Sequence, residues 1–437
     1  MSVRSLRLMA LLLSIVTTGV ISADESDFNV GFAQKDVTPQ VAMPMWGYGA
    51  RRDRLSEGTL DPLMAKAIVV EASGVRLAFV GLDMGRPPTT AMIKEIRETI
   101  RTKSAIEHVM IVGSHTHHGP VLELTDREGF GKGRFDPALS YLKTLPELIS
   151  STIVEAAGKL QPARMGVTTA DVPYNRNRHS KRNPPARDPQ LAVIRFDDLN
   201  GKPLAILVNF AGHPVMTSGQ ILKFSADYPG YMMNHVQKEL SAPCLFMQGA
   251  SGDMSVNPMN VSGPQAFGEQ LGQECVKLAK SIETSVPAKP SIQGKVDHFH
   301  FSTRVDLNNP AVLFAYGQAF FPELVRNFAE DYKDGMQPEL NTILLNKEIA
   351  IVGGSGEFFS NHAVRLRERS YVKHTLFFGY CNGYMNYFPT IEAVSEGGYG
   401  ADATVSPVEI GAGEQMMNRA LINIYSMQGR LAEGKPD

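Results

Sequence analysis

The chain is poor in cysteine, tryptophan, net charge and long apolar runs, and each shortage excludes something. Its 437 residues hold three cysteines, Cys244, Cys275 and Cys381, and none stands in a Cys-x-x-Cys pair. So odd and sparse a set argues against a disulfide scaffold, though it leaves room for one bridge. Cys244 falls in an apolar strand pattern and Cys275 in a helical one, so both read as core residues. The formal net charge is −2, and no polybasic patch stands out. Nucleic acid is therefore not an expected partner. The basic run from Arg176 to Arg187 reads in the main as a solvated loop. Beyond the N-terminus no segment reaches about 18 uninterrupted apolar residues, so the mature protein is expected to be soluble. No internal repeat or low-complexity linker marks a domain boundary.

What is present is enough for a large folded domain: 43% of residues are hydrophobic and 20% charged. Met1 to Ala23 reads as an export signal, with Arg4 and Arg7, the apolar stretch Leu8 to Val16, and a cleavage site near Ile21-Ser22-Ala23. An uncleaved anchor is the competing reading. The location expected is secreted or periplasmic, with residues 24–437 forming one catalytic domain. Strand patterns cover 67–71, 76–82, 109–113, 165–169, 191–196, 204–210, 244–248, 296–305 and 348–353. Helical patterns cover 89–102, 137–159, 228–240, 263–282, 310–324 and 411–427. Their alternation predicts an α/β fold, a layered domain with a mixed β-sheet core flanked by helices and a site at strand ends.

The chemistry concentrates where apolar strands run into histidines. Ser114-His115-Thr116-His117-His118-Gly119-Pro120 follows such a strand, and alternation puts His115 and His117 on one face with His118 turned away. Asn209 to His213 repeats the pattern. Two imidazoles at one sheet rim suggest a metal ligand pair with a proton-transfer group beside it. Gln248 to Pro258 follows a third strand, and offers Ser251, Asp253 and Ser255. It reads equally as a tight capped turn. Glu357 follows the strand at 349–352 and could complete a His-His-Glu set, and tyrosines cluster with glycines from Tyr380 to Gly400. His298 and His300 share a strand face but lack any accompanying carboxylate or glycine turn, so they rank as a minor rival metal pair.

Together these segments resemble the neutral ceramidase family of zinc amidases, which cleave the N-acyl bond of ceramide. The matching pieces, in order, are Gly47-Tyr48-Gly49, His115-Thr116-His117, Asn175-Arg176, Asn209 to His213, Gly252-Asp253-Met254-Ser255, Gly356-Glu357 and Asn382 to Tyr387. The resemblance implies that His115, His213, Glu357 and Tyr387 bind one zinc ion per chain. It implies that His117 is the catalytic histidine, that Arg176 and Tyr399 hold the substrate carbonyl, and that Ser255 is the serine proposed as nucleophile. Three departures stand out. His118 replaces a serine, Met254 and Val256 alter the Gly-Asp-Val-Ser-Pro-Asn motif, and Gly49 stands where the family has a serine near the substrate head group. The family's C-terminal β-sandwich is not expected.

The expected activity is hydrolysis of an N-acyl bond by zinc-activated water, with His117 moving the proton and Ser255 only positioning. The substrate expected is an N-acyl lipid or another small N-acyl compound, for which peripheral membrane contact is compatible. The alternatives are a hydrolase of a non-ceramide N-acyl or ester substrate, and a non-catalytic zinc-binding protein.

Overall fold

The computed structural model describes residues 27–431. The expected export signal, Met1 to Ala23, lies outside them. Nine strands occupy the first part of the chain: β1 (Phe28–Asp36), β2 (Met64–Ala72), β3 (Val75–Leu82), β4 (His108–Gly113), β5 (Gln161–Asp171), β6 (Asn175–Asn177), β7 (Gln190–Asp198), β8 (Pro203–Phe210) and β9 (Cys244–Gln248). Eight form one mixed sheet in the order β4-β3-β2-β1-β5-β7-β8-β9, while β6 pairs separately with β10 (Met254–Val256). Later come β11 (Ile292–His298), β12 (Glu339–Leu345), β13 (Ile349–Gly354), β14 (Glu357–Phe358), β15 (His374–Phe378) and β16 (Tyr387–Phe388). A second sheet runs β11-β12-β13-β15, and β14 and β16 form a two-residue parallel ladder.

The central strands are apolar on both faces, as strands covered on both sides must be. Ala67 to Val70 of β2 and Leu77 to Val80 of β3 are fully buried. These two strands form a hairpin whose Ser73-Gly74 turn has both φ angles positive, the geometry that matches strand twist. One face of the large sheet packs on the second sheet, bringing Phe79, Met110 and Leu245 together with Ile343, Ile351 and Phe378. The other face is covered by two helix pairs. These are α1 (Thr90–Ser104) with α2 (Asp136–Ala157), and α3 (Asp227–Leu240) with α4 (Gly263–Ser281). Five further helices are α5 (Pro310–Ala319), α6 (Pro322–Tyr332), α7 (Ser360–Ser370), α8 (Ile391–Glu396) and α9 (Ala412–Met427). Helices α7 and α9 cover the second sheet. The result is four layers: helices, sheet, sheet, helices.

The large sheet curls. Its edge strands β4 and β9 are seven places apart in the ladder, yet Gln248 at the end of β9 donates to the Ser114 carbonyl just beyond β4 at 3.0 Å. Gly81 of β3 permits this approach, since a Cβ there would lie 2.7 Å from the Phe246 carbonyl oxygen. This curl brings the ends of β4 and β8 to one place.

Three sequence expectations change. The helix expected over 310–324 is two helices, because Phe320 and Phe321 are extended and Pro322 restarts the next helix in its first turn. The strand expected over 296–305 begins earlier, at Ile292, and ends at His298. Helix α7 was not expected; its buried residues His362, Ala363, Leu366 and Ser370 follow a helical period that the adjacent Glu357 loop obscured. All three cysteines are free and buried, Cys244 in β9 and Cys275 in α4. No helix among the described residues is long and apolar enough to cross a membrane.

Candidate metal centre and cleft

His115 lies two residues beyond β4 and His213 three beyond β8, and both rings are buried. Each fixes its orientation through Nδ1. The His115 Nδ1 is 2.8 Å from the Gly85 carbonyl, and the His213 Nδ1 is 2.7 Å from the Ser251 carbonyl. A carbonyl only accepts, so both Nδ1 atoms carry a proton, and the Nε2 atoms are the ones turned to the centre. Those two Nε2 atoms face each other at 3.0 Å. Glu357 completes the arrangement, with its Oε2 3.4 Å from His115 Nε2 and 3.2 Å from His213 Nε2. Two ring nitrogens and a carboxylate oxygen thus converge in a buried place, a donor set that a cation would hold together. A tetrahedral ion with bonds of 2.0–2.1 Å requires ligand–ligand edges of about 3.3 Å, which these separations approach.

The electrostatics favour the ligand states of these groups. Burial alone would push the Glu357 carboxyl up, but His115 and His213 beside it outweigh that and hold it well below the usual carboxylate range. Burial, Arg178 and His115 push His213 down to about 3, so it is a neutral imidazole. Tyr384 donates to Glu357 Oε1 at 2.5 Å, and Tyr380 donates to Oε2 at 3.3 Å. The Gln248 side chain holds the two histidine segments in register. Its Nε2 donates to the carbonyls of Ser114 and Gly212, each at 3.0 Å and each one residue before a histidine of the cluster.

His117 stands one step away. Its ring lies 5.0 Å from that of His115 and 5.8 Å from that of His213, and the three histidines together form a group able to hold a metal ion. Both His117 ring nitrogens are shielded from solvent and have no hydrogen-bond partner among the described residues, while other atoms of the residue reach a cleft. Burial first, then the neighbouring His115 and His213, hold its pKa well below 6.5. Gly47, with φ of 103°, backs directly on it; a Cβ there would come within 2.4 Å of the imidazole. Alternation along β4 does not produce this arrangement, since the strand ends at Gly113 and His115 takes a φ of 68°. The two rings still converge, and His118 does point away. It is buried against Arg51, whose guanidinium also reaches the carbonyls of His117, Gly219 and Ile221. That explains a histidine in place of serine at 118: the ring fills a site that clamps the His117 segment.

The cleft runs from His117 and Glu357 past Tyr384, Tyr387 and Tyr399 to an apolar wall on α5, α6 and the link between them, where Tyr316, Phe320, Leu324 and Phe328 lie. Gly49 also lines it. A Cβ at Gly49 would sit 3.0 Å from the Ala319 carbonyl, so the close approach of α5 accounts for glycine there.

Several expected residues need correction. Arg176 is exposed and faces away from the cluster. Arg178 takes its place: its Nη2 lies 3.0 Å from His213 Nε2, 3.0 Å from the Gly252 carbonyl and 3.2 Å from the Tyr387 hydroxyl, with the Tyr399 ring 5.9 Å away. The reason is local. Strand β6 stops at Asn177, and the Arg178 amide then bonds to the Asp253 carbonyl, which turns its side chain inward. Ser255 pairs with Arg176 across the β6–β10 ribbon and with His213 through a backbone bridge on its other side, but its hydroxyl bonds to no cluster residue. The serine beside the cluster is Ser251, 2.8 Å from the Tyr380 hydroxyl. Asp253 does not contact the cluster. It binds the backbone and hydroxyl of Ser360 at the start of α7 and the Asn177 amide. Tyr387 reaches the cluster through Arg178 and lies opposite Glu357 in the β14–β16 ladder. Tyr399 stacks edge-on to Tyr387 at 5.7 Å and is 65% exposed, at the cleft mouth. His298 and His300 are exposed and belong to no group of three metal-binding side chains among the described residues. Sequence reading missed Arg178, Gln248 and Tyr384. Arg178 was visible only as a second arginine two residues after the expected one.

These features define an α/β protein with a buried histidine–carboxylate cluster, suited to a metal ion, at the floor of a partly apolar cleft. The family follows from comparison. The chain belongs to the neutral/alkaline non-lysosomal ceramidase family, whose N-terminal model it matches over residues 28–303. Neutral ceramidase of Pseudomonas aeruginosa is 26% identical over 322 residues, covering 66% of this chain and 47% of that protein. Neutral ceramidase A of Dictyostelium discoideum is 26% identical over 269 residues, covering 54% and 37%. The chain thus spans about half or less of these relatives' length. Among solved structures, the P. aeruginosa neutral ceramidase superposes with a TM-score of 0.71 at 21% identity, over 94% of this chain and 76% of that one. A ceramidase complexed with C2 gives 0.72 at 20% identity. At such identities the likeness establishes the shared fold.

Proposed function

We propose that the chain is a zinc-dependent hydrolase of an amide (N-acyl) bond, of the ceramidase type, exported through residues 1–23 and with one catalytic unit over residues 24–437. The observation that carries this is the buried triangle of His115 Nε2, His213 Nε2 and Glu357 Oε2 at 3.0–3.4 Å. These three residues, with Tyr387 as fourth donor, would hold one zinc ion. When bound, zinc supplies Lewis-acid polarisation of the amide carbonyl and lowers the pKa of water towards neutrality.

The chain's own residues do the rest. His117 has unpartnered ring nitrogens beside the cleft, and it takes a proton from the attacking water and returns it to the leaving amine. Arg178 and Tyr399 supply donors for the oxyanion, a role typically worth about 2.7–4 kcal/mol per donor. The wall of Tyr316, Phe320, Leu324 and Phe328 receives the acyl chain and excludes water. Ser255, whose hydroxyl bonds to no residue of the cluster, takes no covalent part. The test is hydrolysis of N-acyl compounds, ceramide included, by purified protein before and after chelation. Turnover that is lost on chelation and restored by zinc supports the assignment; turnover unaffected by chelation contradicts it.

A further inference from the structure

Tyrosines aside, the ionisable side chains lining the cleft among the described residues are Arg52, His117 and Glu357. Glu357 is taken up by two histidines and two tyrosines, and His117 is a proton carrier. Arg52 has no assigned task. It is exposed, and among the described residues it makes no ion pair and no side-chain hydrogen bond. Of its neighbours, Arg51 is caged by carbonyls and His118, Asp53 is paired with Arg134, and Arg54 is exposed but does not line the cleft.

The backbone at Arg52 is costly. Its φ of 52° and ψ of −122° put it second in a turn closed by the Arg54 amide on the Arg51 carbonyl at 3.1 Å. That is the first central position of a type II′ turn, which glycine normally occupies. A large residue held in such a conformation at the lip of a cleft is the kind of outlier that accompanies ligand contact. The turn presents a free cation to a cleft that otherwise offers an amide-cleaving cluster and an apolar wall.

We infer that Arg52 selects a carboxylate on the leaving amine, and that the substrates of this chain are N-acyl amino acids. The inference rests on the amide-hydrolase reading above. The step is ordinary hydrolysis: water oxygen bonds to the acyl carbon, the C–N bond breaks, and the proton passes to the amine. Arg52 takes no part in the bond changes; it binds the carboxylate of the departing amino acid.

The experiment compares four probes of one chain length: N-dodecanoylglycine, N-dodecanoylglycinamide, N-dodecanoylethanolamine and its O-phosphate. The acid is expected to exceed glycinamide in kcat/KM by roughly tenfold, the size of a charge-assisted hydrogen bond, with the difference in KM. In Arg52→Gln the ratio of acid to amide falls to near one. Arg52→Gly also abolishes the ratio and raises Tm, because glycine suits the turn, so loss of preference is separated from loss of fold. Equal rates on acid and amide in the wild type, or an acid preference that survives Arg52→Gly, would overturn the inference. Preference for the phosphate over the acid would overturn the amino-acid assignment. Cleavage of neutral probes without charge preference removes this inference alone. Failure to cleave any of the four removes the hydrolase reading itself.

Discussion

His115 and His213 donate through Nδ1 to carbonyls and turn their Nε2 atoms to one centre, and this division of labour can be tested one side chain at a time. His213→Ala removes a corner of the triangle, and elemental analysis should find the zinc gone. His117→Ala should keep the metal and lose on the order of 10²–10⁴ in rate. Loss of zinc in that variant would make His117 a ligand, the arrangement that the three-histidine group also permits. Arg178 and Arg176 give a sharper contrast. Arg178→Ala should cost on the order of 10²–10³ in kcat, the effect of losing an oxyanion donor, while Arg176→Ala, on the outer face, should stay within about twofold. A reversal would restore Arg176 to the site. His115, His117, His213 and Glu357 were legible in sequence because each follows an apolar strand and a small-residue turn. Arg178 was not, because its direction is set by a backbone bond to Asp253, seventy-five positions away. Nothing in the local pattern encodes such a contact.

Among the elements, β9 contributes no ligand, yet its last residue governs the site. Gln248 is fully buried, and its amide joins the carbonyls preceding both histidines. Gln248→Met keeps the volume and leaves those acceptors unpaired, a cost of about 1–3 kcal/mol. Such outer partners typically change metal affinity by about 10–100-fold. Zinc competition with a chelator of known affinity should therefore show weaker binding in this variant; unaltered affinity would reduce Gln248 to a packing role. Seven of the eight strands of the large sheet and most helices were readable from periodicity, since β2 and β3 are apolar runs and α4 matches its pattern to within a residue, whereas β1, β12 and β15 were not expected. The break between α5 and α6 was written in Pro322, but the apolar residues on both sides of it masked the signal.

The whole molecule explains why residues on opposite halves of the ladder meet. Alternating elements predicted layers and a mixed sheet, and the fold has both. They could not predict the curl that joins β4 to β9, because that closure depends on contacts such as Gly81 against Phe246 and not on local pattern. The same burial leaves a pH signature. Burial pushes the Asp83 carboxyl up to about 7, with Lys66 offsetting only part of the rise. The folded protein therefore keeps a proton that the unfolded chain releases near 3.8, and stability from this group falls as pH rises across that window. Asp83→Asn removes the dependence. Its Tm relative to wild type should be close to equal near about pH 4 and should rise progressively towards about pH 8. A gap that stays constant would show that Asp83 ionises normally.

The central claim is that one metal ion held by His115, His213 and Glu357 is what makes this cleft an amide hydrolase. Titrating zinc into chelator-stripped protein, with N-acyl hydrolysis as the readout, tests it most directly. The rate should climb linearly and level off at one equivalent per chain, and His213→Ala should show no such rise. Full activity in the stripped protein, or saturation with zinc and no hydrolysis of any N-acyl probe, would contradict it.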